Sequence, residues 1–243
     1  MQDGPGPCDD LTGRYAPPLI VLRTNFHIAS NLHLWPTYDY AVSFALDPRS
    51  KKQILEFVRP LSVSLDGMTE FGFVERRLAI VERLLHTTLA GEPGLAVDEG
   101  HLFLVACFVR VARGRLSNGG RTDLLLGSVG VPPGELRLLQ RSLARVESEP
   151  STLEEKLVHD ALLLETVGAY GVTEALVSGT KERMTLLELA EEIDSRMSGV
   201  TFTTPAAREL ARDRIEFART FARRLADEAR EFEPDTAQTQ SGA

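Results

Sequence analysis

The sequence predicts a mainly α-helical protein with a small α/β element near its N-terminal end. Strand-like patterns are confined to residues 19–68, where apolar and small or polar residues alternate with a period of two between Tyr38 and Leu46. From Thr69 onward, apolar residues recur at the three- and four-residue intervals of helices. These observations predict a helical domain over residues 69–232.

The α/β element is predicted to contain short strands and one helix. Residues 19–24 and 61–65 have the composition and alternation of strands, and the spacing of Ile54 and Val58 predicts a helix that ends near Pro60. The residues before it offer little apolar surface to offset the entropy of ordering, so residues 1–18 are predicted to be a flexible leader.

The first helix of the helical domain has an amphipathic pattern. It places Val74, Leu78, Val81 and Leu85 in one apolar stripe, and it assigns Arg77 to the charged residues on the opposite face. Further helix signals are a cap at Asp98, a short run from Thr122 to Gly127 or Gly130, Pro132-Pro133, the S/T-x-x-E pattern Ser151–Glu154, the run Leu186–Ile193 and the cap-proline pair Thr204-Pro205.

Two expectations concern the later helices. Gly168 and Gly171 allow a bend or a close backbone approach after the helix that begins near Ser151. The last helix is expected to end near Glu231, before a disordered tail over residues 233–243. Its predicted buried stripe consists of Leu210, Phe217, Phe221 and Leu225.

Composition restricts the function. The net charge is −8, the pI is about 5.2 and no dense basic run occurs, so we expect no nucleic-acid partner. The longest apolar run is far shorter than a membrane span, so we expect no membrane partner. Cys8 and Cys107 lie in dissimilar surroundings and are poor candidates for a disulfide, which favours the reducing cytoplasm.

The segment Lys156–Val172, KLVHDALLLETVGAYGV, resembles the phrase KIVQDADRLDALGAIGI of the HD-domain superfamily. The order and phrasing of the other helical segments are also similar, so the resemblance extends over Thr69–Glu231. It implies an HD-like helical bundle with a metal centre in its middle. The ligands of that metal would be histidines and aspartates contributed by several helices.

The resemblance also implies that this chain is a degenerate member without the metal ligands. Val74 stands at the position of the first histidine, Val109 and Arg110 replace the His-Asp pair, and Leu162 replaces an aspartate. We therefore expect no metal and no other cofactor. A guanidinium in place of a carboxylate repels a cation and favours an anionic group.

The residues around those positions suggest a pocket for a small organic molecule. In this hypothesis Arg110, Arg113, His159 and Glu165 are the polar lining, and Val74, Val109 and Leu162 are the apolar lining. His159 and Glu165 would be the catalytic residues, and an arginine would hold an anionic or carbonyl oxygen. The alternative is a structural salt bridge between Arg110 and Glu165, with His159 a satisfied core residue.

Three functions remain open from the sequence. The first is a metal-independent protein that binds a small organic molecule, or converts it as a lyase, cyclase or isomerase. The second is a non-catalytic scaffold or regulatory protein that uses the fold for interaction. The third is a metal-dependent phosphohydrolase whose ligands lie elsewhere in the sequence. The expected partner is a small-molecule ligand or substrate, and homo-oligomer formation is left open.

Overall fold

The prediction of a mainly α-helical fold is confirmed in the computed structural model, which describes residues 44–61, 73–111 and 120–231. These ranges contain nine α-helices and one 3₁₀ turn, and they belong to the same compact unit. The leader, the tail and most of the predicted α/β element lie outside the described residues. Two described parts of its strands differ from the prediction, because Phe44–Leu46 has no regular structure and Leu61 ends the 3₁₀ turn.

The helices follow the chain in this order: α1 Pro48–Val58, the 3₁₀ turn Arg59–Leu61, α2 Phe73–Gly91, α3 Glu99–Phe108, α4 Gly120–Ser128, α5 Pro133–Arg145, α6 Leu153–Thr166, α7 Gly168–Glu182, α8 Leu186–Gly199 and α9 Pro205–Glu231.

Side chains at the helix starts explain several of these boundaries. Asp47 accepts hydrogen bonds from the Ser50 backbone at 3.0 Å and from the Arg49 backbone, so α1 begins immediately after it, at Pro48. At α6 the predicted capping box exists one residue later than expected, between Thr152 and Glu155. The shift matters because it directs the Glu155 side chain inward, where it is fully buried.

Helix α3 is the central element of the described fold. All nine residues from Gly100 to Phe108 are buried, as expected for a helix that is covered on every side. It contacts α1, α2, α5 and α6, and a hydrogen bond from the His101 backbone to the Asp98 side chain, at 2.8 Å, begins it as predicted. Polar groups that reach α3 are therefore removed from solvent.

Helix α9 packs mainly on α8 through alanines rather than through the predicted large apolar stripe. Ala207, Ala211, Ala218 and Ala222 are buried, whereas Phe217 is 49% exposed, so the prediction that Phe217 is a core residue is wrong. Small side chains allow two helices to approach closely. The other three residues of the predicted stripe, Leu210, Phe221 and Leu225, are half-buried and pack against the core.

The chain bends sharply between α6 and α7, as the glycines predicted. Only Val167 separates these helices, whose axes differ by 62°. Gly168 adopts a φ of +78°, and a Cβ atom on Gly171 would lie 1.9 Å from the carbonyl oxygen of Thr166, so a larger residue is excluded at this position. Among the described helices none is long and apolar enough to cross a bilayer alone, and α6 and α7 meet that test only as the bent pair.

Candidate functional site

A buried ion pair joins the three helices at the centre of the described bundle. Nη2 of Arg77, on α2, lies 3.2 Å from Oε2 of Glu165, on α6. Nη1 of Arg77 donates a hydrogen bond of 3.1 Å to the carbonyl oxygen of Ala106, on α3. Arg77 is 2% exposed and Glu165 is 7% exposed, so this guanidinium and this carboxylate interact almost without solvent screening.

The ion pair corrects two predictions from the sequence. Arg77 was assigned to the charged outer face of its helix, but it is one of the largest fully buried side chains. The alternative interpretation pairs Glu165 with Arg110, but Arg110 is exposed in the turn after α3 and Glu165 bonds Arg77 instead. A salt bridge therefore exists at this place, with a different arginine from the one predicted.

Burial and the neighbouring positive charges shift the pKa of Glu165 in opposite directions. Burial has the largest effect and raises the pKa of the Glu165 carboxyl above its ordinary value. The guanidiniums of Arg77, Arg110 and Arg76 partly counteract this effect by lowering the pKa. Glu165 thus lies among three positive groups and still binds a proton more readily than an exposed glutamate.

The pair is not fully satisfied by the residues that the structure describes. Nε of Arg77 and Oε1 of Glu165 are buried and have no hydrogen-bond partner in this part of the chain. One atom is an obligatory donor, and the other accepts a proton or a hydrogen bond. Nε can donate one further hydrogen bond and Oε1 can accept one, to a ligand atom or to a water.

The positions matched to metal ligands lie on the same three helices. Val74 is buried one turn before Arg77, Leu162 is buried one turn before Glu165, and Val109 is half-buried at the end of α3. These aliphatic side chains have no lone pair for a metal, so they do not fit the ion that the resemblance implies. In the described ranges, no group of three His, Cys, Asp or Glu side chains could hold a metal ion.

His159 and Glu165 are not brought together. They are six residues apart on α6, which places them about 120° apart around the helix, so their side chains leave the helix in different directions. Nδ1 of half-buried His159 donates a hydrogen bond of 2.8 Å to the carbonyl oxygen of Val146, after α5. His159 therefore helps to attach α6 to the end of α5. Arg113 lies outside the described residues.

A second buried polar cluster was not predicted. Nδ1 of His101 contacts the Glu135 carboxylate, and Nε2 of His101 lies 3.0 Å from Oγ of Ser142. This order of acid, histidine and serine resembles a hydrolase triad. However, Ser142 is fully buried and donates its proton to Oε1 of Glu155 at 2.7 Å, so its oxygen is neither accessible nor activated as a nucleophile. The cluster instead connects α3, α5 and α6.

Glu155 is the anionic end of this cluster. Burial alone would raise the pKa of the Glu155 carboxyl, but hydrogen bonds from the Ser151 backbone, Arg145, Ser142 and the Ser151 hydroxyl lower it to about 2. The bonds from Nη2 of Arg145 and the Ser151 backbone measure 2.6 and 2.8 Å. Glu155 is therefore ionised at neutral pH and serves a structural role.

Asp160 is a third buried carboxylate whose role the sequence did not reveal. Its oxygens accept hydrogen bonds of 2.8 Å from the backbone N–H groups of Thr203 and Thr204, and one of 2.6 Å from the Thr204 hydroxyl. These donors precede Pro205, the first residue of α9. Asp160 thus fixes the start of α9 on α6 and leaves the Arg77–Glu165 pair as the candidate functional site.

Comparison with known proteins adds information on the fold. No protein-family model matches this sequence, and no curated protein matches it. The structure is similar to that of the Lin1889 protein from Listeria innocua, with a TM-score of 0.55, 16% sequence identity, and coverage of 75% of this chain and 99% of that protein. YpgQ from Bacillus subtilis gives a TM-score of 0.50, 19% identity, and coverage of 74% of this chain and 94% of YpgQ. At these identities the likeness establishes a shared fold.

Proposed function

We propose that this chain is an HD-like protein that binds a small organic anion at the centre of its bundle without a metal ion. The positions matched to metal ligands carry aliphatic groups and one arginine, and a guanidinium–carboxylate pair lies one turn away from two of them. Arg77, Arg110 and Arg76 lie close enough to Glu165 to lower the pKa of its carboxyl. Their positive charges would also attract an anionic ligand to this site.

The observation that carries the proposal is the pair of buried polar atoms without partners. A ligand with a carboxylate or carbonyl oxygen would accept a hydrogen bond from Nε of Arg77. Its hydroxyl or amine would donate to Oε1 of Glu165. A buried polar group without a hydrogen bond destabilises the folded protein, and each new bond to the ligand would remove that cost. Such bonds are the usual source of selectivity for polar ligands.

The same geometry suggests how a bound molecule could react. Burial favours the protonated form of Glu165, so this carboxyl can donate or accept a proton at a ligand atom next to Oε1. Arg77 and Arg110 would stabilise negative charge on a neighbouring oxygen. Proton transfer of this kind serves lyases, cyclases and isomerases, and it assigns the catalytic role to Glu165 rather than to His159.

Ligand screening tests the proposal. Thermal-shift assays with a panel of small hydroxy acids, keto acids and phosphate esters, followed by calorimetry on the hits, should identify a ligand for the full chain. Glu165→Gln keeps the shape of the side chain and should weaken binding at least tenfold. Glu191→Gln, an exposed change on α8, is the matched control and should leave binding unchanged.

Two results would overturn the proposal. One is the absence of any hit, or hits that bind equally well to the Glu165→Gln protein. The other is a stoichiometric divalent metal in the purified full-length protein, since this would favour the phosphohydrolase alternative and mean that the ligand positions are misaligned.

A further inference from the structure

The buried cluster at the start of α3 contains a chain of hydrogen bonds whose direction can be assigned. The chain runs from Glu135 through His101 and Ser142 to Glu155. His101 is 3% exposed and Ser142 is fully buried, so these side chains satisfy one another rather than bulk solvent. The position of each proton in the chain therefore follows from which atoms can donate.

Glu155 is the end of the chain that can only accept. Its oxygens accept hydrogen bonds from Nη2 of Arg145 at 2.6 Å, from the Ser142 hydroxyl at 2.7 Å, and from the Ser151 backbone at 2.8 Å. A carboxyl that is surrounded by donors is ionised and has no proton to give. The single hydroxyl proton of Ser142 therefore lies toward Glu155, and the Ser142 oxygen is left as an acceptor for its other neighbour.

This direction determines the state of the His101 ring. Nε2 of His101 lies 3.0 Å from the Ser142 oxygen, and this oxygen accepts, so Nε2 carries a hydrogen. Nδ1 of His101 contacts the Glu135 carboxylate, and two bare acceptors would repel each other at this contact, so a second proton lies between them. Because an imidazole binds a proton more tightly than a carboxylate does, that proton resides on Nδ1.

The charges around the ring favour an imidazolium. Within the described ranges, Glu135 is the charged side chain that contacts the ring directly, and the two side chains are 4% and 10% exposed, so solvent screens their attraction weakly. Other charged groups reach α3 or the cluster without contact to the ring: Lys51 of α1, Arg77 of α2, Asp98 at the start of α3, Arg145 of α5, and Glu154 and Glu155 of α6.

We propose that His101 is a buried imidazolium at neutral pH and that its ion pair with Glu135 is a pH-sensitive connection between α3 and α5. Loss of the Nδ1 proton would place a nitrogen lone pair against the Glu135 carboxylate, so alkaline conditions weaken this connection. The inference goes beyond the proposed function, because the chain from Glu135 to Glu155 does not include the Arg77–Glu165 pair.

Nitrogen-15 NMR of the full chain at about pH 7.5 tests the protonation state directly. We expect both ring nitrogens of His101 to show the chemical shifts of N–H groups. Glu135→Gln removes the anion and should convert Nδ1 to a bare nitrogen, whereas Glu149→Gln, an exposed change between α5 and α6, should leave both nitrogens protonated. The signal of His101 is assigned by elimination, from single glutamine substitutions of His27, His33, His86 and His159.

The pH dependence of stability is a second readout. Since the folded chain holds a proton on Nδ1 that the unfolded chain releases, the free energy of unfolding should decrease as pH rises toward 9, and it should decrease less in Glu135→Gln. Comparison of these two proteins cancels the contribution of the buried Cys107 thiol.

The inference fails if Nδ1 of His101 is bare in the wild-type spectrum, and this spectrum decides even if Glu135→Gln does not fold. It also fails if the wild type and Glu135→Gln lose stability equally as pH rises. Glu165→Gln should leave the His101 spectrum unchanged, so the failure of this inference and the failure of the proposed function can be distinguished.

Discussion

Replacement of Arg77 by methionine should be strongly destabilising. Arg77 and Glu165 are 2% and 7% exposed, so the substitution would leave a carboxylate in the core without the guanidinium that pairs with it. Breaking a buried pair in this way typically costs about 3–5 kcal/mol of the free energy of unfolding. Urea denaturation followed by circular dichroism measures the change, and Arg141→Met, at an exposed position on α5, is the matched control with an expected effect below about 0.5 kcal/mol.

A double substitution separates the ion pair from simple packing. Arg77→Met with Glu165→Met removes both charges, and apolar replacements of buried pairs are often neutral or stabilising. The double variant should therefore be more stable than Arg77→Met alone, although it carries one more change. If the two single effects add instead, the residues are not coupled and the assignment of this pair as a buried ionic interaction is refuted.

The pH dependence of the same variant has a defined sign. The pKa of Glu165 is raised in the folded state above its reference value of 4.5, so its protonation favours folding, and this contribution is lost as pH rises through the folded pKa. Without Arg77 that pKa should rise further. The stability difference between Arg77→Met and the wild type should consequently be small near pH 4 and should increase toward pH 8, and a constant difference would contradict the reasoning.

Three further results are expected. The pKa of Glu155 is lowered from 4.5 to about 2, so this residue contributes about 3 kcal/mol to the free energy of unfolding above pH 4.5, and this contribution is lost as pH falls toward 2. Glu155→Gln should abolish that acid dependence. Glu188→Gln, which alters an exposed capping box, should not. Burial raises the pKa of the Cys107 thiol, so in a Cys8→Ser protein it should react with a thiol reagent only when urea unfolds the chain. Gly171→Ala should lower the midpoint of thermal unfolding by several degrees, because its Cβ would overlap the Thr166 carbonyl, and an unchanged midpoint would contradict this geometry.

Helix boundaries with local chemical signals could be predicted from the sequence. Thr204-Pro205 marked the start of α9 correctly, and the glycines after Val167 marked the bend, because caps, prolines and positive φ angles depend on neighbouring residues alone. Even so, the capping box at Thr152 was placed one residue early, since Ser151 and Thr152 both match the pattern. Adjacent candidates of equal chemistry cannot be ranked without the packing of the next helix.

The candidate site was harder to predict because its residues are distant in sequence. Arg77 and Glu165 are 88 positions apart, and an arginine on an amphipathic helix is assigned to solvent unless its buried partner is known. The same limit explains the error at Phe217, because hydrophobicity ranks phenylalanine above alanine while close helix packing selects alanine. The position of each residue relative to the neighbouring helices, rather than its residue type, determines that Arg77 is buried and Phe217 is exposed.

Asp160 connects two parts of the chain that are distant in sequence. Its carboxylate accepts hydrogen bonds from the backbone N–H groups of Thr203 and Thr204, which lie 43 and 44 residues further along the chain, so the start of α9 depends on a residue of α6. A fragment that contained only α9 would lack the carboxylate that fixes its first turn. In the intact protein, the amide hydrogens of these two threonines should exchange with deuterium only in rare openings that separate both helices.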